Sequence, residues 1–193
     1  NYTVAFGTQQ NGLTLGAHYD AVPGSPGAND NGAAVTQLVF AAAALCKAIA
    51  NGQSEPDCSF VFFDHEELYG SQFMGSRVWL DSHSNALPAS ALIWDVTGTG
   101  RLYVSSHDRT GLLGDLETRE TPPSDDANFV RAGIPTTLIC ALPDEQFHLA
   151  CPHVWETLHS CEDSTDRVED ASLEAGKLLA LEAVARFMRS RAS

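Results

Sequence analysis

Short apolar runs alternate with longer segments of helical spacing along most of the chain. Five runs predict strands, in the order YTVAF, LTLGAHY, CSFVFFDHE, ALIWDVTG and TTLICAL, and RLYVSS is a candidate for one more. The first two runs are separated by GTQQNG, whose composition is typical of a turn. CSFVFFDHE is continuously apolar over its first part, which is the pattern of a strand covered on both faces.

The segments between these runs predict helices. One helix covers about residues 31–50, and DDANFVRAG predicts a short one. GSQFMGSRVWLDS has helical spacing at Phe73, Val78 and Trp79 or Leu80. The last helix runs from about residue 168 to 189, with apolar positions at Leu173, Leu178, Leu179, Leu181 and Val184. Strands that alternate with helices predict an α/β fold, with a mostly parallel sheet and helices on both of its faces.

Length and charge narrow the class of protein. The chain has 193 residues and 44% hydrophobic side chains, so we expect residues 1–193 to form a single domain with a substantial core. Its 11 Lys and Arg against 25 Asp and Glu give a net charge of −14, which argues against nucleic acid and anionic membranes as partners. No apolar run is expected to span a membrane, because the richest, at 33–50, is interrupted by Thr36, Gln37 and Lys47.

The spacing of the five cysteines bears on the cellular compartment in which the protein is found. Cys46 and Cys58 flank a loop between a helix end and a strand start, and Cys151 and Cys161 bracket PHVWETLHS. We expect these pairs to form two disulfides and Cys140, in an apolar run, to be a free buried thiol. Disulfides imply an oxidising compartment, so the expected location is secreted or periplasmic. The alternative is five reduced cysteines in a cytosolic protein.

Ionisable side chains follow the predicted strands. They are His18, Asp20, Asp64, Glu66, Glu67 and Asp95, and a loop over residues 143–166 adds histidines after TTLICAL. Ligands of parallel sheets bind outside the carboxyl ends of the strands, so these side chains are expected to meet. Crowded carboxylates raise one another's pKa and stay ionised together only if a cation neutralises them. Mixed His, Asp and Glu ligands favour zinc as that cation.

The adjacent glutamates indicate a mechanism. One of Glu66 and Glu67 can bind metal while the other takes a proton from a water that the metal has made more acidic. Asp30 lies at the end of a glycine-rich loop and at the start of the first long helix. There it is placed to bridge two metals about 3.5–4 Å apart.

Six segments together resemble the catalytic domain of the M28 zinc aminopeptidases, a family that includes the related glutaminyl cyclases. GAHYD and GANDNGAAV place His18 and Asp30 twelve positions apart, as in the family's first two ligand motifs. The family's glutamate pair resembles FFDHEELYGSQFMGS, and its aspartate strand resembles IWDVTG. Its SDHxxFxxxGIP segment resembles SDDANFVRAGIP, and its final HTxxDTxDxV segment resembles LHSCEDSTDRVE. The resemblance covers nearly the whole chain. It implies a three-layer α/β/α fold with a mixed, mostly parallel central sheet, as in zinc exopeptidases.

The resemblance also implies a set of metal ligands. His18 and Asp95 would bind one zinc, Glu67 and His159 would bind a second, and Asp30 would bridge both. Two zinc ions per chain are therefore expected, with a single zinc as the alternative. The loop over residues 143–166 also offers His148 and His153, and the EDSTDRV that follows His159 favours His159.

Two further roles follow from the resemblance. Glu66 would be the general base that deprotonates the metal-bridging water and later protonates the leaving amine. Asp20 would hydrogen-bond the second ring nitrogen of His18 and fix its tautomer. The sequence departs from the family at Asp126, which stands where the SDH segment has histidine, and this puts a contact to substrate or to a supporting residue in doubt.

The implied activity is that of a dizinc aminopeptidase, which acts as a monomer on peptides with a free N-terminus and removes an apolar residue. Trp155 and Tyr69 are candidate substrate contacts, and Asp125 is a candidate for holding the substrate's α-ammonium group. One alternative is a glutaminyl cyclase with a single zinc, and another is a different zinc exopeptidase such as a carboxypeptidase. A non-catalytic domain is disfavoured because all five ligands and the base are present.

Overall fold

Seven strands form one mixed sheet among the described residues of this computed structural model, which are 1–8, 11–105 and 109–192. In chain order they are β1 (Tyr2–Phe6), β2 (Leu13–His18), β3 (Cys58–Phe63), β4 (Ser90–Trp94), β5 (Arg101–Ser105), β6 (Thr118–Arg119) and β7 (Thr136–Leu142). Their order across the sheet is β1-β3-β2-β4-β7-β5-β6.

The middle of the sheet is parallel, β1 and β5 pair with it in antiparallel fashion, and the edge strand β6 is parallel to β5. Neighbouring strands β3, β2, β4 and β7 run parallel, whereas β1 is antiparallel to β3 and β5 is antiparallel to β7. Although β1 and β2 follow each other in the chain, they do not pair, because β3 lies between them. β2 and β3 are buried throughout, and β1 is exposed at all but its last residue, which suits an edge strand.

Helices cover both faces of the sheet. Their bounds are α1 (Ala33–Ala50), α2 (Gly75–Ser82), α3 (Asp126–Arg131), α4 (His153–Thr157) and α5 (Asp170–Ala192). α1 and α5 pack on one face through Leu38, Ala41 and Val184, and α2 and α3 pack on the other through Trp79 and Phe129. The predicted three-layer α/β/α fold with a mixed, mostly parallel sheet is confirmed.

Small residues, more than the predicted leucines, form the buried face of α5. Gly176, Ala180 and Ala183 are buried, whereas Leu178 is 52% exposed. A Cβ atom on Gly176 would lie 2.0 Å from the side-chain oxygen of Gln37 on α1, so the two helices approach closely at this point. This close approach, which leucine spacing does not reveal, decides which face of α5 is buried.

One stretch of the described residues, Ala28–Ala50, is long and apolar enough to cross a membrane by length and composition alone. The expectation that no apolar run reaches this length therefore needs correction. The stretch consists of α1 and the turn before it. In the structure α1 packs against β2 and α5 and buries Ala34 and Leu38, as a core helix does.

The cysteines form no disulfide. None of the five is disulfide-bonded, so the predicted Cys46–Cys58 and Cys151–Cys161 disulfides are wrong. Cys58 is fully buried within β3, whereas Cys46 lies on an exposed side of α1, so the two thiols face different environments. Cys151 and Cys161 are both exposed and form no disulfide, although they lie close together in the sequence. Cys140 is the buried free thiol that its apolar run predicts.

Candidate metal centre

Six ionisable side chains meet at the carboxyl edge of the parallel strands. They are His18 at the end of β2, Glu66 and Glu67 after β3, Asp95 after β4, Asp30 in the turn that leads into α1, and His159 after α4. The strands that supply four of them are neighbours in the sheet and run in the same direction. The topology therefore brings together residues that lie far apart in the chain.

Two groups of three side chains share Asp30. Nε2 of His18 lies 3.2 Å from Oδ1 of Asp30 and 3.4 Å from Oδ1 of Asp95. Nε2 of His159 lies 3.1 Å from Oδ2 of Asp30 and 3.3 Å from Oε2 of Glu67. Within each group the candidate ligand atoms lie within 4.8 Å of one another, a spacing that can hold a metal ion. The two oxygens of Asp30 thus face two different groups.

Several of these atoms have no hydrogen-bond partner. Nε2 of His18, Oε1 of Glu67 and Oδ1 of Asp95 are buried and make no hydrogen bond to any residue that the structure describes. Buried polar atoms without a partner cost free energy unless something binds them. Imidazole nitrogens beside carboxylate oxygens form a donor set that suits zinc. The residues present therefore fit a metal centre.

His159 is the histidine of the loop over residues 143–166 that reaches this centre. Its φ of 62° lies in the left-handed region, and this turns the chain just after α4. His153 instead lies 3.6 Å from Glu156 on its own helix, and the ring of His148 packs edge-on against Phe147. Of the three histidines, His159 is thus the one placed to bind a metal.

Asn31, which the sequence analysis did not single out, holds the Asp30 turn against the strand that leads to Asp95. Its side-chain amide donates to the carbonyl of Trp94 over 2.9 Å, and its side-chain oxygen accepts from the N–H of Val96 over 3.2 Å. These partners lie on either side of Asp95, so Asn31 sets the position of one carboxylate relative to the other. The asparagine beside Asp30 in ANDNG was the signal available in the sequence.

Asp163 supports the same turn through the turn's main-chain N–H groups. It is buried, and its two carboxylate oxygens accept hydrogen bonds from the N–H groups of Asn29 over 2.8 Å and of Asp30 over 3.1 Å. It follows His159 by four positions. One short segment therefore supplies a candidate ligand and also holds the carboxylate that both groups share.

Replacing Asp163 by alanine is expected to lower the free energy of unfolding by about 2–5 kcal/mol. The substitution leaves two buried N–H groups unpaired, and each costs about 1–3 kcal/mol. Urea unfolding followed by circular dichroism measures the change. Asp166→Ala in the same segment is the matched control, because Asp166 is exposed. Equal effects of the two substitutions would contradict the role given to Asp163.

Asp20 mainly holds the glutamate pair. Its carboxylate accepts from the N–H of Glu66 over 3.1 Å and from the N–H of Glu67 over 3.2 Å. Nδ1 of His18 hydrogen-bonds the main-chain carbonyl of Asp20 over 3.1 Å, and the Asp20 carboxylate is farther away, at 3.5 Å. The implied contact between this carboxylate and His18 is therefore secondary to a main-chain one. Burial by itself raises the pKa of Asp20, but His18 and the two N–H groups outweigh it and lower the pKa.

The titration behaviour of the centre reflects crowded negative charge. Burial raises the pKa of Glu66 to about 8, and the charge of Asp95 adds to the shift. Burial likewise raises the pKa of Glu67 to about 7, with a further contribution from Asp30. Burial alone lowers the pKa of His18, but the surrounding carboxylates outweigh it and raise the pKa well above its usual value. These raised pKa values reflect the cost of burying several carboxylates side by side, which a bound cation would relieve.

A cleft of about 460 Å³ opens over the centre. Tyr69 and Trp155, two of the predicted substrate contacts, line it. Asp125 does not line it, because its side chain is fully buried, and burial raises its pKa to about 7. Asp126, the departure from the family pattern, accepts a hydrogen bond from the N–H of Ser124 over 2.7 Å at the start of α3.

The model of peptidase family M28 matches residues 1–184 of this sequence. The chain belongs to peptidase family M28. The family, and with it the resemblance seen in the sequence motifs, is thereby confirmed. No curated protein matches this M28 chain.

Solved structures share the fold of the M28 chain. BSAP, a zinc aminopeptidase from Bacillus subtilis, is 23% identical with a TM-score of 0.69, over 92% of this chain and 46% of that chain. LapB from Legionella pneumophila is 17% identical with a TM-score of 0.76, over 95% of this chain and 54% of that chain. Tannerella forsythia glutaminyl cyclase is 16% identical with a TM-score of 0.72, over 94% of this chain and 76% of that chain. The M28 chain therefore spans about half the length of the first two.

Proposed function

We propose that this M28 chain is a dizinc aminopeptidase that removes the N-terminal residue from peptides. The observation that carries the proposal is the position of Asp30, whose two oxygens face His18 on one side and His159 on the other. A carboxylate shared in this way suits two metal ions about 3.5–4 Å apart. The likeness to a zinc aminopeptidase supports zinc as the metal.

In this proposal each zinc would have two ligands of its own and share a third. His18 and Asp95 would hold one ion, Glu67 and His159 would hold the other, and Asp30 would serve both. Buried atoms of His18, Asp95 and Glu67 that lack a hydrogen-bond partner among the described residues support this assignment. Bound zinc would polarise the scissile carbonyl and make the attacking water more acidic.

Glu66 is the proposed general base. It is 8% exposed, lines the cleft, and has a carboxylate oxygen 4.0 Å from Nε2 of His18. Glu66 takes a proton from the attacking water as the new C–O bond forms, and gives it to the amine nitrogen as the C–N bond breaks. Asp20 holds the main chain of Glu66 and so keeps this carboxylate in place.

An apolar N-terminal side chain is the proposed preference. The apolar residues that line the cleft are Val96, Pro122, Pro123, Leu138, Cys140 and Leu158. With the rings of Tyr69 and Trp155 they form a wall against which an aliphatic or aromatic side chain loses contact with water.

Glutaminyl cyclisation is the second candidate function. The likeness to Tannerella forsythia glutaminyl cyclase, of which the alignment covers 76%, favours it. In that reaction the N-terminal amine attacks the side-chain amide of its own glutamine and ammonia leaves, and a single zinc suffices. A carboxypeptidase is a further alternative, because the candidate ligands do not select an end of the peptide.

Paired assays distinguish these functions. The purified protein is expected to release leucine from Leu-anilide and to contain about two zinc ions per chain by elemental analysis. Cyclisation of Gln-anilide, followed by mass spectrometry, with one zinc and no release of leucine would favour the second function. Release of residues only from the C-terminus of an unmodified peptide would favour the third.

The remaining sequence expectations stay predictions. They are a single domain over residues 1–193, a monomer, a location outside the cytoplasm, and peptides with a free N-terminus as substrates. The family match over residues 1–184 supports a single domain, and membership of a peptidase family supports peptide substrates. The lack of disulfides among the five cysteines gives no support to an oxidising compartment.

A further inference from the structure

A second cleft, of about 490 Å³, lies between α2 and α3 beside the candidate metal centre. Tyr69 lines both clefts, so they share a wall. Burial raises the pKa of Tyr69, and the charges of Asp126, Arg131 and Glu66 also act on it. The phenol thus lies within electrostatic reach of the proposed base on one side and of an arginine of the second cleft on the other.

Two arginines, Arg77 and Arg131, line this second cleft. Neither Arg77 nor Arg131 forms an ion pair within the part of the chain that the structure describes. Asp81 is the one acidic residue among the described lining residues, so the lining carries one net positive charge. The whole chain has a net charge of −14, so a cleft of this sign stands out from the rest of the surface.

One of these arginines is held in place by a buried amide. Nη1 of Arg131 donates to Oδ1 of Asn128 over 2.6 Å. Asn128 is buried and donates in turn to the hydroxyl of Ser76 on α2 over 2.8 Å. This chain of hydrogen bonds links the two helices and presents the Arg131 guanidinium at the cleft, which lowers the entropic cost of binding an anion there.

We propose that this second cleft binds a carboxylate of the peptide substrate, downstream of the scissile bond. The inference rests on the proposed aminopeptidase function. Only one residue precedes the bond that an aminopeptidase cleaves, so the rest of the peptide must leave the metal centre along an adjoining surface. Guanidinium groups match carboxylates in geometry and charge. The carboxylate is either the C-terminus of a short peptide or an acidic side chain of a longer one.

Equilibrium binding to a Glu66→Gln background tests this proposal without turnover. Isothermal titration calorimetry compares Leu-Gly-Gly with its C-terminal amide, and Leu-Gly-Glu-amide with Leu-Gly-Gln-amide. In at least one pair the peptide with the extra carboxylate is expected to bind about tenfold more tightly, as two partly exposed ion pairs allow. The first pair reports a C-terminal carboxylate and the second an acidic side chain.

Arginine variants locate the effect. Arg77→Gln with Arg131→Gln is expected to bring the affinity ratio close to one, and Arg131→Lys should retain most of it. The side chain of Arg77 makes no hydrogen bond among the described residues, so Arg77→Gln alone removes a charge and leaves the bonds of Asn128 to Ser76 and Arg131 in place. Arg189→Gln is the matched control, because it removes the same charge from α5 on the opposite face of the sheet.

Equal affinities within both peptide pairs would overturn the carboxylate site. So would a preference that survives the double arginine substitution or that Arg189→Gln also abolishes. Failure of the proposed function gives a different result. Wild-type protein would leave the amidated peptides uncleaved while the Glu66→Gln background still bound the acidic peptides more tightly.

Discussion

The Glu66→Gln variant is expected to keep its two zinc ions and to lose about 100- to 10,000-fold in kcat. Glutamine has nearly the same shape as glutamate but cannot accept the proton of the attacking water, and a positioned general base contributes a factor of this size. Glu66 lies outside both three-residue groups that can hold a metal, so metal content should not fall. Hydrolysis of Leu-anilide and elemental analysis of the same sample measure the two quantities.

Two further variants serve as controls for Glu66. Asp64→Asn makes the same chemical change two residues away on a side chain that is not part of the metal groups, and it should retain activity. Glu67→Gln removes a proposed ligand, so it should lose both zinc and activity. A Glu66→Gln protein with near-normal kcat, or one that has lost its metal, would contradict the assignment of the base.

Chelation of the metal is expected to abolish activity and to make the free energy of unfolding fall as the pH rises from about 5 to 8. Without metal the pKa of Glu66 is raised to about 8 and that of Glu67 to about 7, because both are buried among carboxylates. The folded chain therefore binds more protons than the unfolded chain throughout this range. Stability present at low pH is lost as the pH rises through these values.

The size of this loss is about 3 kcal/mol, after allowance for solvent screening of the more exposed Glu67. The raised pKa of His18 acts in the same direction. Bound zinc reverses the trend, because its ligands must be deprotonated and its affinity rises with pH.

Urea unfolding at pH 5.5 and pH 8, with chelator or with added zinc, measures the effect. Glu66→Gln with Glu67→Gln is the matched control, since it removes two of the groups with raised pKa and should reduce the pH dependence of the chelated protein, while His18 and Asp125 still contribute. Chelated wild-type protein that is more stable at pH 8 than at pH 5.5 would contradict this account.

The fold was largely predictable from the local pattern of apolar and polar residues. The features that differ from the prediction have physical reasons. Continuous apolar runs such as CSFVFFDHE predicted buried strands because a strand covered on both faces has no polar side. The pairing of β1 with β3 could not be predicted, because exposure of β1 does not reveal its neighbour. The buried face of α5 was predictable only in part: Val184 is buried and Leu179 and Leu181 pack against the core, but the close approach of Gly176 to Gln37 does not show in the leucine spacing.

The candidate site was predictable in its residue types and less so in its supporting contacts. His18 and Asp95 stand out because ionisable side chains at the ends of apolar strands are costly without a partner. The supporting role of Asp163 could not be predicted, because its hydrogen-bond partner Asn29 lies 134 positions away in the chain. The disulfides were predicted wrongly because short spacing between cysteines does not establish that their thiols meet.

The sequence by itself determined the alternation of strands and helices, the acidic surface, and the short motifs that resemble peptidase family M28. These properties depend on residue type and local spacing. Only the tertiary structure decided that Asp30 faces two groups at once, that Asn31 and Asp163 hold its turn, and that two arginines without an ion pair among the described residues line a cleft beside the centre. These arrangements depend on contacts between distant segments, which form only when the parallel strands bring their carboxyl ends to one edge of the sheet.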